Sequence, residues 1–205
     1  NPYYCDLSKI VMERISLTHL SEDNFSSIWI KMFPKQYKNK DSLKFVYENT
    51  LNRPRDILQF FIECQRQYPN NTRLNYSEFN NVLAGYSTDY FIPSMQDELT
   101  GFWPDDTITY LPTALSKIGN RVFNVKDFKN ITLNIPGFND IDPQKMLNYL
   151  FDCGYIGQLR KRPEHQNNPN NKGQYNAFKY INRREKFEPK DQCYLHRGLV
   201  KGLNL

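Results

Sequence analysis

Apolar residues recur at near-helical spacing along the first hundred positions of the chain. Residues 5–17 show this period, and a second segment at 21–33 begins with Ser21 as its expected N-cap. The same pattern predicts helices at 41–51 and 54–68, and one long or two short helices over 75–99. The chain up to about residue 100 is therefore predicted to be an all-α domain.

The pattern changes after residue 100 and predicts an α+β domain over residues 101–205. A helix is expected at 105–119, with Pro112 inside it and Gly119 as its C-cap. The segments that follow are predicted as a strand at 121–125, helices at 126–131 and 142–154, and strands at 155–162 and 174–182, with a polar tip at 163–173 and a closing strand or helix at 194–205. This order is typical of a winged helix-turn-helix.

Composition and charge narrow the class of protein. The 205 residues are 39% hydrophobic and 15% aromatic, which indicates a globular chain. No apolar run approaches the roughly 20 residues that a transmembrane helix needs, so we expect no membrane association and a cytoplasmic location. Residues 158–201 hold 11 Lys and Arg against 4 Asp and Glu, a balance of +7, which favours an anionic partner. The start of the chain suggests a fragment or a processed protein.

Cysteine and carboxylate patterns predict no catalytic or metal site. Four widely spaced cysteines are interpreted as buried thiols rather than two disulfides, and no histidine clusters with them at zinc-ligand spacing. Cys193 and His196 lie three residues apart, but His196 is expected to pack or hydrogen-bond. The adjacent acids at 22–23, 97–98 and 105–106 are expected to cap helices. We therefore expect no catalytic activity from this chain alone.

The segment "TLNRPRDILQFF" at 50–61 carries the most unusual charge pattern. Pro54 suits the first position of a helix, and Asp56 then falls in the first turn, where negative charge is favourable. Arg53 and Arg55 are unfavourable there. One interpretation pairs them with a local acid such as Asp56 or Glu48. The other places a phosphate between the guanidinium groups and the free N–H groups of the helix start.

Three motifs resemble the C-terminal lid plus winged-helix region of bacterial P-loop ATPases of the AAA+/STAND type. They are "RPRDILQFF" after two or three helices, "LFDCGYIGQL" at 150–159, and the ending "YLHRGLVKGLNL". They follow one another in the order of that family across nearly the whole chain. The resemblance implies a helical lid-like domain at 1–100 and a winged helix at 101–205, so the fold class is mostly α with a small β-hairpin.

The resemblance also implies a role for Arg53 or Arg55 in sensing the γ-phosphate of ATP. The chain departs from the family because it has no Gly-x-x-x-x-Gly-Lys-Ser/Thr sequence and no apolar strand ending in acids that would hold Mg²⁺. ATP and Mg²⁺ are therefore implied only for a full-length protein, in which an upstream ATPase core would be the partner of this chain. The chain itself is expected to hold no cofactor.

Nucleic acid is an alternative partner for the second domain. The helix at 142–152 is expected to turn Gln144, Lys145 and Asn148 outward, together with Tyr149 and Asp152. A basic wing is expected to contact phosphates without regard to sequence, through Arg160, Lys161, Arg162, Lys172, Lys179, Arg183 and Arg184. The other interpretation is that this hairpin docks on an acidic face of the ATPase core or of a protein partner.

Two functions are therefore predicted from the sequence. The first is a regulatory module of a P-loop ATPase that couples nucleotide state to a partner or to nucleic acid. The second is a free-standing winged-helix DNA-binding protein that uses its basic wing.

Overall fold

The computed structural model describes residues 5–16, 25–161 and 173–205 of the chain. The fold is mostly α with two small antiparallel sheets, as the sequence predicted. The chain divides into two compact units, Asn1–Phe91 and Ile92–Leu205, whereas the sequence placed a domain boundary near residue 100. Within the described ranges, every helix is too short or too polar to cross a membrane.

The first unit is built from helices and one short hairpin. Its elements are α1 (Asp6–Ser16), α2 (Phe25–Met32), β1 (Gln36–Tyr37), β2 (Lys40–Asp41), α3 (Ser42–Tyr47), α4 (Pro54–Gln67), α5 (Tyr76–Gly85) and a π-helix (Tyr86–Phe91). Asp41 caps α3 as predicted, because its carboxylate accepts a hydrogen bond of 2.9 Å from the Lys44 N–H. The predicted cap Ser21 lies outside the described residues. α3 ends at Tyr47, four residues before the predicted end.

The hairpin β1/β2 was not predicted. Its two-residue turn places Lys38 at a φ of 48° and Asn39 at a φ of 60°, and both values lie in the left-handed region. Positive φ at both central residues is the geometry of the turn that best joins two antiparallel strands. Glycine usually signals this turn, and a lysine there is uncommon, which explains why the sequence pattern did not reveal the hairpin.

Aromatic side chains form the core of the first unit. Trp29 and Phe33 of α2 have ring centroids 4.2 Å apart. Phe33 packs on Phe60 of α4 at 5.8 Å, and Phe60 packs on Phe79 of α5 at 5.9 Å. All four side chains are almost completely buried, so each contributes burial energy as well as ring contacts worth about 0.5–1.5 kcal/mol per pair. This cluster fixes α4 against α2 and α5.

The predicted helical region at 75–99 contains a π-helical interruption. α5 ends at Gly85, the π-helix covers Tyr86–Phe91, and α6 begins at Ile92 in the second unit. Pro93 is the second residue of α6, and because it has no N–H, one hydrogen bond back to the preceding turn is missing where the π-helix meets α6. Single π-helical turns of this kind are often found at functional sites.

The second unit combines helices with a four-stranded sheet. Its elements are α6 (Ile92–Leu99), α7 (Asp105–Lys117), β3 (Val122–Phe123), α8 (Val125–Thr132), α9 (Pro143–Cys153), β4 (Ile156–Lys161), β5 (Gln174–Ala177), β6 (Gln192–Leu195) and α10 (Arg197–Val200). Pro112 lies inside α7, as predicted. The C-cap of α7 is Ile118, and the predicted cap Gly119 follows it with a φ of +70°.

The four strands have the order β3-β6-β4-β5, and all neighbours are antiparallel. Along the chain, the elements from α7 to β5 follow the predicted order. In the sheet, β6 lies between β3 and β4. β5 ends at Ala177, five residues before the predicted end. Gly157 allows the end of β5 to lie close to β4, because a Cβ at this position would be 2.8 Å from both the Ala177 carbonyl and the Phe178 ring. The winged-helix assignment stays a prediction.

Helix α9 follows its sequence signals closely. The Asp142 carboxylate accepts a hydrogen bond of 2.9 Å from the Gln144 N–H, and Pro143 occupies the first helical position. Gly154 ends the helix with a φ of +89°, in the left-handed region that glycine tolerates. The side chains predicted to enter the core are all buried: Met146, Leu147, Leu150 and Phe151.

Candidate functional site

The start of α4 has the backbone geometry that its sequence predicted. Arg53 is the N-cap, with extended backbone at φ −93° and ψ 142°, and Pro54 is the first helical residue. The Arg53 side chain makes no capping hydrogen bond. Asp56 lies in the first turn, where the helix dipole stabilises a negatively charged carboxylate.

Asp56 is the centre of the site, and its side chain is fully buried. Its Oδ2 accepts a hydrogen bond of 2.9 Å from the Leu51 N–H and lies 3.4 Å from the Nε of Arg53. Its Oδ1 accepts a hydrogen bond of 2.8 Å from the Tyr90 hydroxyl and lies 3.9 Å from the Nε of Arg55. A buried carboxylate is stable only when its oxygens are paired in this way.

Arg53 and Arg55 both pair with this local acid, which is one of the two interpretations that the sequence left open. The other acid considered, Glu48, forms an ion pair of 2.9 Å with Lys40. Pairing does not bury the arginines, because 31% of the Arg53 side chain and 59% of the Arg55 side chain stay exposed. Nucleotide sensing by these residues stays a prediction.

Tyr90 is a site residue that the sequence analysis missed. It lies on the π-helix, 34 positions after Asp56, so local spacing carried no signal for the contact. Burial raises the pKa of the Tyr90 hydroxyl to about 12, and the hydrogen bond to the Asp56 carboxylate is the second largest cause of this rise. The hydroxyl therefore keeps its proton at physiological pH and acts as a donor to Asp56.

A second polar contact joins α4 to the π-helix. Nη2 of Arg66 lies 2.6 Å from the buried Glu63 carboxylate and 2.6 Å from the Asp89 carboxylate. The hydrogen bonds from Arg66 lower the pKa of Glu63 against the opposing effect of burial. Gly85 permits this arrangement, because a Cβ there would overlap both the Glu63 carboxylate and the Gln67 amide. Asp89 and Tyr90 thus face α4 together.

In the second unit, the polar side chains predicted to project from α9 are exposed: Gln144, Lys145 and Asn148. Tyr149, also predicted to face outward, is half-buried and donates a hydrogen bond of 2.9 Å to the Glu98 carbonyl. Asp152 forms an ion pair with Lys179, which follows β5. Lys179 is therefore neutralised locally, and this weakens the prediction that it contacts a phosphate.

Arg160 makes contacts inside the second unit, and its role as a phosphate contact stays a prediction. Its Nη1 pairs with the Glu185 carboxylate, and its Nε lies 3.3 Å from the Asp191 carboxylate. Its Nη2 donates to the side chain of Gln158 at 3.1 Å and to the carbonyl of Lys186. Only 17% of the side chain is exposed, so a phosphate would have to displace two carboxylates to reach it.

The remaining basic residues of the predicted wing differ from Arg160. Lys161, Arg183 and Arg184 are exposed, and within the part of the chain that the structure covers no acidic side chain pairs with them. Arg162 and Lys172 lie outside the described residues. Arg183 and Arg184 lie in the loop that follows β5, beyond both the observed and the predicted end of that strand.

Cys193 and His196, the pair considered for catalysis, are both buried. All four cysteines are free thiols, but only Cys193 is buried, which corrects the prediction of four buried thiols. Burial raises the pKa of Cys193 to about 12. His196 is buried, and it forms a hydrogen bond as predicted, because its Nδ1 accepts one of 3.0 Å from the Gly198 N–H.

The adjacent acids have different positions. Those at 105–106 lie in the first turn of α7, as expected, whereas those at 97–98 lie in the last turn of α6, where they do not cap an N-terminus. Those at 22–23 lie outside the described residues. No cluster of three or more His, Cys, Asp or Glu side chains in the described ranges is arranged to hold a metal ion.

A comparison with known protein families identifies a similar family. The model of a family described as a FunZ-associated C-terminal helical domain matches residues 5–92, which is less than half of the chain. The matched segment includes the Arg-Pro-Arg-Asp helix and the π-helix, and it corresponds closely to the first compact unit. No curated protein and no solved structure matches the chain.

Proposed function

We propose that this chain is a regulatory module of a P-loop ATPase, in which the first unit senses the nucleotide and the second contacts a partner. The observation that carries the proposal is the position of Arg53 and Arg55 beside Pro54, at the start of α4, with partly exposed side chains. The resemblance of this segment to an ATPase lid supports the assignment. The match to a C-terminal helical domain family fits a unit that works within a larger protein.

The chemistry of this helix start suits a triphosphate. Two guanidinium groups offer planar sets of donors that match phosphate oxygens, and the helix N-terminus adds partial positive charge. Asp56 would hold both arginines near one another without burying them. In the proposed module, an arriving γ-phosphate would compete with Asp56 for a guanidinium group, so that nucleotide binding changes the contacts of Asp56.

The catalytic parts must come from other polypeptide. The full sequence has no Gly-x-x-x-x-Gly-Lys-Ser/Thr segment, which in P-loop ATPases surrounds the phosphates and supplies a ligand to Mg²⁺. We therefore expect ATP and Mg²⁺ to bind to an ATPase core that precedes this chain in the same polypeptide. The chain alone should not hydrolyse ATP.

The test uses the reading frame that encodes this chain and the protein that it produces. A phosphate-binding loop sequence is expected upstream in that frame. In the resulting protein, Arg53→Ala or Arg55→Ala should lower kcat for ATP hydrolysis by about 10²–10³-fold, the range for loss of one group that stabilises transition-state charge. Arg73→Ala is the matched control, since Arg73 is an exposed arginine of the same unit. A frame without such a loop, or equal rates in all three variants, contradicts the proposal.

A second candidate is a free-standing DNA-binding protein of the winged-helix type. The exposed side chains of Gln144, Lys145 and Asn148 on α9 support it, because amide and amino groups are suited to base edges in the major groove. In this candidate, Gln144→Ala or Asn148→Ala should reduce discrimination between DNA sequences. The ATPase proposal predicts no such effect.

A further inference from the structure

The loop between β5 and β6 is held in one conformation by a buried glutamine. This segment, residues 178–191, is here called the cationic loop. The Gln158 side chain on β4 is fully buried, and its Nε2 donates a hydrogen bond of 2.7 Å to the Glu188 carbonyl. Its Oε1 accepts a hydrogen bond of 2.9 Å from the Glu188 N–H. One amide therefore satisfies both backbone groups of a loop residue.

Arg160 provides a second anchor two positions along the same strand. It pairs with Glu185 and Asp191 and donates to the Lys186 carbonyl, so it contacts the middle and the end of the cationic loop. Glu185 also accepts a hydrogen bond of 3.2 Å from the Asn182 amide. The internal contacts therefore occupy two of the loop's three acids, and the loop has little acidic charge left to face outward.

Four of the five basic side chains of the cationic loop have the opposite arrangement, and the fifth, Lys179, pairs with Asp152. Arg183, Arg184, Lys186 and Lys190 are all exposed. Across the described ranges, no acidic side chain pairs with any of the four. Glu188 is the one further acid in the loop, and its backbone is bound to Gln158. The loop thus presents four cations on a backbone that its own acids and β4 hold in place.

We infer that the cationic loop contacts the phosphate backbone of duplex DNA. Protein–DNA interfaces are more polar and more positive than protein–protein interfaces, whose centres are apolar or aromatic. The cationic loop fits the first description, because Ile181 is its one large exposed apolar side chain and four cations accompany it. Contacts of this type bind phosphates without reading bases.

This inference is independent of nucleotide sensing by Arg53 and Arg55. It rests on the second candidate, whose predicted basic wing included Arg183 and Arg184, and refines it, because the phosphate contacts are placed on the anchored loop after β5 and require no contact from α9. Anchoring adds to affinity, since a loop that is already ordered loses less conformational entropy when it binds.

The test is fluorescence anisotropy of the full chain with a labelled 20-base-pair duplex, over 50–200 mM KCl. The variant Arg183→Gln/Arg184→Gln removes two loop cations. Its matched control, Lys126→Gln/Lys129→Gln, removes two exposed cations of α8. Each lost phosphate contact should reduce the slope of log affinity against log salt concentration by about 1. The loop variant should therefore lose about 2 in slope, which makes the fall in affinity across this salt range roughly tenfold smaller.

Several outcomes would overturn the inference. They are no binding by the unmodified chain at 50 mM KCl, equal losses in the loop variant and its control, or competition by polyglutamate as strong as that by unlabelled duplex. A loss confined to Lys145→Gln would instead assign the contact to α9. Arg53→Ala should bind DNA normally, so failure of nucleotide sensing and failure of this inference can be told apart. Circular dichroism of each variant confirms that it is folded.

Discussion

The Tyr90 hydroxyl donates a hydrogen bond of 2.8 Å to Oδ1 of Asp56. It joins the π-helix to the start of α4, and the same carboxylate pairs with Arg53 and Arg55. Any ligand that draws an arginine away from Asp56 therefore changes the environment of Tyr90. This contact is a direct physical link between the candidate phosphate site and the last element of the first unit.

Asp56→Asn should destabilise the first unit by about 1–3 kcal/mol, the cost of leaving buried hydrogen-bonding groups unsatisfied. The amide keeps the size of the side chain, but it removes the charge that pairs with two guanidinium groups. One of its two positions also becomes a donor that faces either the Leu51 N–H or the Tyr90 hydroxyl. Urea unfolding followed by circular dichroism measures the effect.

The control for this prediction is Asp6→Asn. Asp6 pairs with Lys9 at 3.0 Å on the surface of α1, where both side chains are largely exposed. Such a pair contributes at most about 1 kcal/mol. If the two variants unfold at the same urea concentration, Asp56 is not the structural centre of the site.

The stability of the first unit should decrease as the pH rises through the alkaline range, because of Tyr90. Its pKa is about 12 in the folded chain, against a usual value of about 10. A pKa that is raised on folding contributes its full stability below pH 10, where the hydroxyl is protonated in both states. That contribution is lost as pH rises from 10 to 12, because only the unfolded state releases the proton.

Comparison with Tyr90→Phe isolates this effect from those of the other tyrosines. The melting temperature of the unmodified chain should fall more steeply between pH 10 and pH 12 than that of the variant. If the melting temperatures of the two proteins fall equally over this pH range, the pKa of Tyr90 is not raised in the folded chain. That result would contradict a hydrogen bond from the Tyr90 hydroxyl to Asp56.

Local signals in the sequence predicted most of the fold. The start of α4 at Pro54 and the limits of α9 at Asp142 and Gly154 depend on backbone preferences that act within a few residues, so their patterns could be recognised. The hairpin at Lys38 and Asn39 could not, because a lysine is uncommon at positive φ and no glycine marks the turn. The place of β6 between β3 and β4 depends on long-range pairing, for which the chain carries no local pattern.

The candidate site was predicted only in part, for a related reason. Arg53, Arg55 and Asp56 are neighbours in sequence, so their association was foreseeable from spacing. The burial of Asp56 and its bond to Tyr90 depend on the packing of the π-helix on α4. Likewise, the charge of Arg160 was visible in the sequence, whereas its acidic partners lie 25 or more residues away. Charge alone could not separate an anchor from an exposed cation.

Gly85→Ala should destabilise the chain, although the same change at most helical positions is stabilising by about 0.5–1 kcal/mol. The added methyl group would overlap the Glu63 carboxylate and the Gln67 amide, whose own hydrogen bond is 2.5 Å long. Glu63 would then have to move away from Arg66. Thermal unfolding should show a lower melting temperature for the variant.

A double variant tests the cause of this effect. Gln67→Ala removes one of the two overlapping groups, so Gly85→Ala should cost less when it is introduced into Gln67→Ala than into the unmodified chain. If the losses of stability from the two substitutions simply add, the overlap with Gln67 is not the cause of the effect of Gly85→Ala.

Gln158→Leu should release the cationic loop without unfolding the sheet. Leucine has a similar size, but it leaves the Glu188 N–H and carbonyl without their partner, at a cost of about 1–3 kcal/mol if they stay buried. The loop can avoid part of that cost by opening to water, which makes its backbone accessible to protease. Brief trypsin treatment followed by mass spectrometry should therefore show faster cleavage after Arg183 and Arg184. The control variant Gln174→Leu, at an exposed position on β5, should be cleaved after Arg183 and Arg184 as slowly as the unmodified chain. If Gln158→Leu also cleaves at that rate, Arg160 alone is sufficient to hold the loop, and the glutamine is not an anchor.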